Sequence, residues 1–211
     1  MDVGGATTDV YSVAEGLPDD PRTALRGLPE PYVKRTVEGD IGMRYSIKGI
    51  VDAAGLKATA EVAGLSEERL AEIVERFAAH TDLLPDDDET QRADEALASM
   101  AVRVAMTRHA GRLSEIFGLG GLQLVQTGKN LLNVERFIVT GGSLIHTEHT
   151  GRIASYGFYD EADPTSLKPK RCDVLVDRSY IIAAMGLLSE YDPDAALTIL
   201  KEELVKDDGT K

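Results

Sequence analysis

Near the start of the chain stands DVGGATTDVYSV. Gly4 and Gly5 carry no Cβ and tolerate positive φ, so main-chain N–H groups around them can face an anion. Thr7 and Thr8 add hydroxyl donors. Asp2 can hold a divalent cation through water, because magnesium keeps much of its hydration shell. A tight hairpin turn requires the same glycines, so spacing alone leaves both readings open. Much later comes FIVTGGS. A buried strand ending in a glycine pair leaves its carboxyl end open to a ligand, as in open α/β sheets. Gly141 and Gly142 would let a flat ring approach the backbone, and an ordinary strand-to-helix turn uses glycine as well.

Other reactive side chains form weaker patterns. His80, His109, His146 and His149 have no zinc spacing, and HTEH at His146–His149 lacks an evident third ligand. The acidic run Asp86, Asp87, Asp88, Glu89 lacks the EF-hand spacing and reads as the capped start of a helix. Lys129 and Asn130, in QTGKNL, lack the remainder of a Walker loop and read as a turn. Arg103, Arg108 and Arg112 read as a solvated or interdomain helix face. Cys172 has no obvious base beside it, and a packed thiol is the default.

The elements that must position these groups can be read from pattern. Asp9–Ala14 and Tyr32–Val37 read as strands of an antiparallel meander, joined by a loop from Glu15 to Pro31. Helices are expected over Ile41–Ala54, from Ser66, and over a long stretch from Glu89 to Phe117 ended by the glycines at Gly118–Gly121. A short strand is expected at Gln123–Gln126 and a buried parallel strand at Phe137–Thr140. A short helix over Ser143–Gly151, a strand at Asp173–Val176 and helices over Tyr180–Glu190 and Pro193–Val205 close the chain. This order makes an α/β layer fold.

Composition narrows the function classes. The 211 residues carry 36 acidic and 23 basic side chains, a formal net charge of -13, so free nucleic acid and anionic membrane surfaces are poor partners. One cysteine permits no internal disulfide, and no long apolar run or leader pattern opens the chain. A cytoplasmic setting is expected.

Taken together and in this order, the two glycine stretches resemble the second half of the actin, sugar-kinase and heat-shock-chaperone ATPase superfamily. Asp2, Gly4, Gly5, Ala6, Thr7 and Thr8 fall on its second phosphate motif. Gly141, Gly142 and Ser143 fall on its adenosine motif, and His146, one turn later, would lie near the adenine or ribose. Gly39 and Asp40 resemble, loosely, a turn of the chaperone relatives that borders the nucleotide cleft. The segments EPYVKRTVEGDIGMRYS, ADEALASMAVRVAMTRHAGR, FIVTGGSLIH and DVLVDRSYIIAAMGLLS look like one family in particular. It is the MutL-type accessory protein of adenosylcobalamin-dependent glutamate mutase (methylaspartate mutase), unrelated to the mismatch-repair protein of that name.

The resemblance implies an actin-like, ribonuclease H-like lobe: a mixed sheet flanked by helices, with a helical insertion roughly over residues 56–120. It implies ATP or ADP and Mg²⁺ as ligands and an ATP-dependent reactivating, chaperone-like role on a cobalamin mutase subunit. In such proteins the phosphate motif lies in mid-chain. The chain is therefore expected to be a C-terminal lobe without its N-terminal partner lobe, to bind nucleotide weakly and to hydrolyse little ATP. Its first hairpin is expected to be frayed. The phosphate motif also resembles that of hydantoinase/oxoprolinase enzymes and small-molecule kinases, which stand as the alternative.

Overall fold

A computed structural model describes residues 1–118 and 121–207. In order, the elements are β1 (Asp2–Val3), β2 (Thr8–Val13), β3 (Ala24–Arg26), β4 (Val33–Glu38), α1 (Ile47–Ala54), α2 (Leu56–Ala63), α3 (Glu67–Ala79), α4 (Asp88–His109), β5 (Arg112–Gly118), β6 (Gly121–Thr127), β7 (Arg136–Val139), α5 (Gly142–Ile145), α6 (Thr150–Ser155), β8 (Asp173–Val176), α7 (Ile182–Leu188), α8 (Pro193–Glu203) and β9 (Val205–Lys206). This is a mixed α/β architecture.

β1, β2 and β4 form the expected antiparallel meander, with Asp2 opposite Asp9 and Thr8 opposite Glu38. β7 runs parallel to β8, and β9 adds to β8 in the opposite sense. The two ladders join where Val3 N–H donates to Thr140 O (3.1 Å) and Thr140 N–H to Met1 O (3.0 Å). Across the joined sheet, the strand order is β4-β2-β1-β7-β8-β9. β1 therefore sits between β2 and β7 with its main-chain groups bonded on both sides. That is not the frayed hairpin expected, because β7 and the residue after it supply carbonyls that satisfy the donors of Met1 and Val3.

α4 is the axis of the core. Its small side chains Ala93, Ala96, Ala98, Ala101 and Ala105 are buried together with Leu97, Met100, Val102 and Met106. Alanine on that face lets the helix approach the sheet and α1, α2, α5 and α6 closely, in accord with dense interior packing. Asp87 caps it, accepting from Thr90 N–H at 2.7 Å, while Thr90 Oγ1 receives the Asp87 N–H. Ser66 caps α3 in the same manner, accepting from Arg69 N–H.

α4 stops at His109, short of the expected end at Phe117. Arg112–Gly118 is instead a strand paired with β6 along its whole length. The alternation of RLSEIF suits a pleat, and Gly111 marks the change. A Cβ there would lie 2.6 Å from Thr127 O, so only glycine lets the two backbones pass. Of the glycines expected to end the helix, Gly118 closes β5 and Gly121 opens β6, paired with each other, and residues 119 and 120 lie outside the described residues. β3 pairs parallel with β6 to complete a second small sheet.

Lys129 bolts that small sheet to the main one. Fully buried, its ammonium donates to the carbonyls of Tyr32 (2.7 Å), Pro31 (2.9 Å) and Ser12 (3.2 Å). It is an internal brace, not part of a phosphate loop. His109 is buried as well, with Nδ1 2.8 Å from Thr36 Oγ1 and Nε2 2.8 Å from Ser12 Oγ. Burial first, then the nearby Lys34 and Lys129 charges, pushes it down to about 4 from 6.5.

Because the folded-state value lies below the unfolded one, the unfolded chain takes up this proton first. The neutral ring's contribution is complete above pH 6.5 and is lost as pH falls toward 4, about 3 kcal/mol in all. His109→Gln is expected to flatten this limb: urea midpoints of the wild type should fall more steeply than those of the variant between pH 6.5 and about 4.5. Parallel curves would show that His109 does not titrate there.

Candidate functional site

The hairpin between β1 and β2 closes with Gly4 N–H donating to Thr7 O at 2.9 Å, which leaves Gly5 and Ala6 at its tip. The turn after β4 decides which way this tip faces. Met43 N–H donates to Gly4 O (3.0 Å), and the N–H groups of Arg44 (2.8 Å) and Tyr45 (2.9 Å) both donate to Gly5 O. The carbonyls of Gly4 and Gly5 are thereby tied to that turn. Among the described residues no acceptor takes the N–H groups of Gly5, Ala6 or Thr7, and Gly5 has open space where a Cβ would stand. With the Gly4 and Gly5 carbonyls engaged and these N–H groups free, an exposed tip can offer positive dipole ends to an anion.

The brace is itself held firmly. A Cβ on Gly42 would overlap the Ala6 backbone, so the 41–46 turn lies flat against the tip. Arg44 is buried, pairs with Asp94 of α4 at 2.7 Å, donates to Leu83 O (3.0 Å) and Met43 O (2.6 Å), and stacks over Phe77. Thr8 Oγ1 donates to Ile41 O at 3.0 Å and is fully buried, so its hydroxyl serves this brace from within. Thr7 Oγ1 donates to Asp9, whose carboxylate also holds Arg35 at 2.7 Å. Asp40 lies on the same turn, but its carboxylate is engaged by Arg108 of α4 (2.7 and 2.9 Å), which holds it below its ordinary range. Gly39 beside it is open to solvent.

The second glycine pair reaches the same place. Gly141, at φ +107, packs so closely on β1 that a Cβ would overlap Val3 O. Its carbonyl accepts from Leu144 (2.9 Å) and Ile145 (3.0 Å), starting α5. Gly142 is exposed, Ser143 is half-buried, and His146 ends the short helix with its side chain in solvent. β1, β7 and β8 run parallel, so Gly4, Gly141 and Asp177 all follow the carboxyl ends of adjacent strands. Asp2 is half-buried between them. Burial, with Asp9 and Asp177 nearby, outweighs the chain-terminal ammonium and raises its carboxyl.

Other candidates find partners elsewhere. His149 Nδ1 sits 3.0 Å from Glu95 of α4, which also receives Thr147 Oγ1 (2.6 Å) and Arg152 (2.8 Å). Burial alone would raise the Glu95 carboxyl, but donation from Thr147, His149 and Gln91 holds it below the ordinary range. Cys172 donates to Val134 O, and burial pushes its thiol up to about 11. Among the described residues no three His, Cys, Asp or Glu side chains are grouped to hold a metal, and no helix is long and apolar enough to cross a membrane.

Sequence reasoning singles out both glycine stretches but passes over Gly42, Arg44, Asp94, Asp177 and Tyr180 as site residues. The available signals are GDIGMRYS, whose glycines bracket the turn, and DVLVDRSY, which carries Asp177 and Tyr180.

Fold and site together define a mixed α/β domain with an exposed glycine hairpin and a glycine-ended strand at the carboxyl ends of adjacent central strands of its sheet. The model of the MutL protein family matches residues 1–204, and the chain belongs to that family. It is 43% identical over 206 residues to "Protein MutL" of Clostridium tetanomorphum, an alignment that covers 98% of this chain and 45% of that protein. The chain thus spans about half the length of this relative. No solved structure matches.

Two glycines of one pair should respond differently to the same change. Gly141→Ala meets both positive φ and the Val3 backbone, and is expected to cost more than about 4 kcal/mol or to prevent folding. Gly142→Ala meets only Tyr180 Oη at 4.0 Å and should stay within about 0.5 kcal/mol of wild type. Arg44→Ala strands the buried Asp94 carboxylate and is expected to cost about 3–5 kcal/mol. Urea denaturation of the three variants checks all of these values.

Proposed function

We propose that this chain is a nucleotide-binding lobe of an ATP-dependent reactivating factor, with an adenosylcobalamin-dependent glutamate mutase as client. The observation that carries the proposal is the free N–H groups of Gly5, Ala6 and Thr7 after β1 and the exposed Gly142 after β7, beyond the carboxyl ends of two adjacent parallel strands. Phosphate oxygens would be received by that tip. The nucleoside would lie against Gly142, Ser143 and His146. Strand order β4-β2-β1-β7-β8, with only β2 reversed among them, supports an actin-like, ribonuclease H-like architecture. The MutL family membership supports the client, and it disfavours a hydantoinase-like or metabolite-kinase role.

The residues fit such a ligand in a limited way. Gly5 has room for close approach, and the hairpin's donors are preorganised because their carbonyls are already engaged. Asp2, half-buried at the start of β1, would orient a magnesium-bound water. When bound, Mg·ATP would supply a transferable phosphoryl group and the free energy for moving one lobe against another. The residues of this chain would position the phosphates from one side only. Phosphoryl transfer to water depends on positioning and charge stabilisation around the whole transferred group. The other side of the clamp, and Gly39 and Asp40 as part of a closed cleft, are assigned to the meeting with a partner lobe in the longer family members.

Isothermal titration of the 211-residue chain with Mg·ADP is expected to show weak binding, Kd ~0.1–1 mM, with no ATP turnover above background. Turnover matching a full-length family member would overturn the half-clamp account. With the full-length protein, release of damaged cobalamin from glutamate mutase should require both ATP and Mg²⁺. Release that ignores nucleotide, or no release, would overturn the client assignment.

A further inference from the structure

Among the described residues, Tyr180 alone of the non-glycines lies in the left-handed region, at φ +53. A bulky side chain there is uncommon, and such backbone persists where its surroundings over-determine it, often at ligand sites. Here the surroundings do so. Asp177 is only 2% exposed, and its carboxylate accepts Ile181 N–H (3.0 Å) and Ile182 N–H (3.2 Å). Asp177 N–H donates to Val139 O (3.0 Å), and the Thr140 hydroxyl donates to Asp177 O (3.1 Å). The loop that carries Tyr180 is therefore anchored to the end of β7, directly before the glycine pair.

Packing does not account for the ring, which is 52% exposed. It borders an open groove of about 1290 Å³ that Asp2, Thr140 and Asp177 also line. Its hydroxyl stands 4.0 Å from where a Cβ of Gly142 would be. Burial, then the carboxylates of Asp2 and Asp177, push the phenol up, so it remains a neutral donor at physiological pH. An anchored, half-exposed aromatic side chain thus brings its hydroxyl close to a residue without a side chain, where β1 and β7 end, and borders the open groove beside it.

We infer that Tyr180 is the nucleoside-contacting residue of this site, meeting the base or ribose of a ligand whose phosphates face the Gly5–Ala6 tip. The inference rests on the nucleotide-binding proposal and adds the side chain that distinguishes a nucleotide from a bare phosphate. A flat, sequence-tolerant stacking surface is what an aromatic ring offers a base. Pyrophosphate has no group that could use it.

The test compares Mg·ADP with Mg·pyrophosphate on the 211-residue chain, by titration calorimetry or ligand-observed NMR, in wild type, Tyr180→Phe, Tyr180→Ala and Tyr180→Gly. ADP affinity is expected to fall at least tenfold in the Ala and Gly variants and to remain within about threefold of wild type in the Phe variant. Pyrophosphate affinity should stay within twofold throughout. Glycine relieves the left-handed backbone, so Tyr180→Gly should melt at or above the wild-type temperature while losing ADP, an outcome that a purely structural role would not give. Unchanged ADP affinity in Tyr180→Ala, or equal loss of both ligands, overturns the assignment of Tyr180 and leaves the phosphate tip standing. If wild type binds neither ligand, the nucleotide assignment falls and the role of Tyr180 falls with it.

Discussion

Two backbones that touch without side chains between them hold this molecule's site together. Val3 and Gly141 lie so close that no Cβ fits at position 141, and the hydrogen bonds of Met1 and Val3 to Ile138 and Thr140, just before that contact, zip β1 against β7. Through this seam the antiparallel meander and the parallel pair become one sheet. Because β1 and β7 run the same way, both end at the same edge. A hairpin tip at residues 4–7 and a helix start at residue 142 are then neighbours, although most of the chain separates them in sequence.

The seam alone would not orient the tip. A hairpin of two glycines can present either carbonyls or N–H groups to solvent, and the difference is the sign of the local field. The turn after β4 settles it, since three consecutive N–H groups from Met43 to Tyr45 claim the carbonyls of Gly4 and Gly5. That turn is held by Arg44, whose buried guanidinium spans Asp94, Leu83 O and the Phe77 ring. The helical segment between β4 and β5 therefore has a role beyond filling the core, because α3 and α4 supply the groups that keep a distant loop facing outward. A buried ion pair of this sort is weak as a source of stability but strong as a constraint on geometry.

Much of the fold was legible in order along the chain. The meander strands, the capped starts at Ser66 and Asp87, the parallel strand at Phe137 and the strand at Asp173 each carry a local signal, whether period, cap or β-branched run, that short-range physics enforces. The boundary of the long helix was not legible. RLSEIF, just after Gly111, has acceptable helix propensity, and only pairing with Gly121–Thr127 makes it a strand. Lys129 likewise reads in sequence only as a turn residue, because nothing nearby announces that the carbonyls of residues 12, 31 and 32 will surround it.

By itself, the sequence determined which residue types occupy the two glycine stretches, and the resemblance they carry led to the right family. It could do so because glycine placement and strand periodicity are properties of neighbours in the chain. Tertiary structure alone decided that the Gly4 and Gly5 carbonyls are engaged while the N–H groups of Gly5, Ala6 and Thr7 are not, that Thr8 bonds Ile41 O while Thr7 bonds Asp9, that Asp40 is tied to Arg108, and that the Tyr180 hydroxyl comes close to Gly142. Each of these is set by a hydrogen bond or steric contact between segments far apart in the chain, and no local pattern encodes which distant partner will arrive.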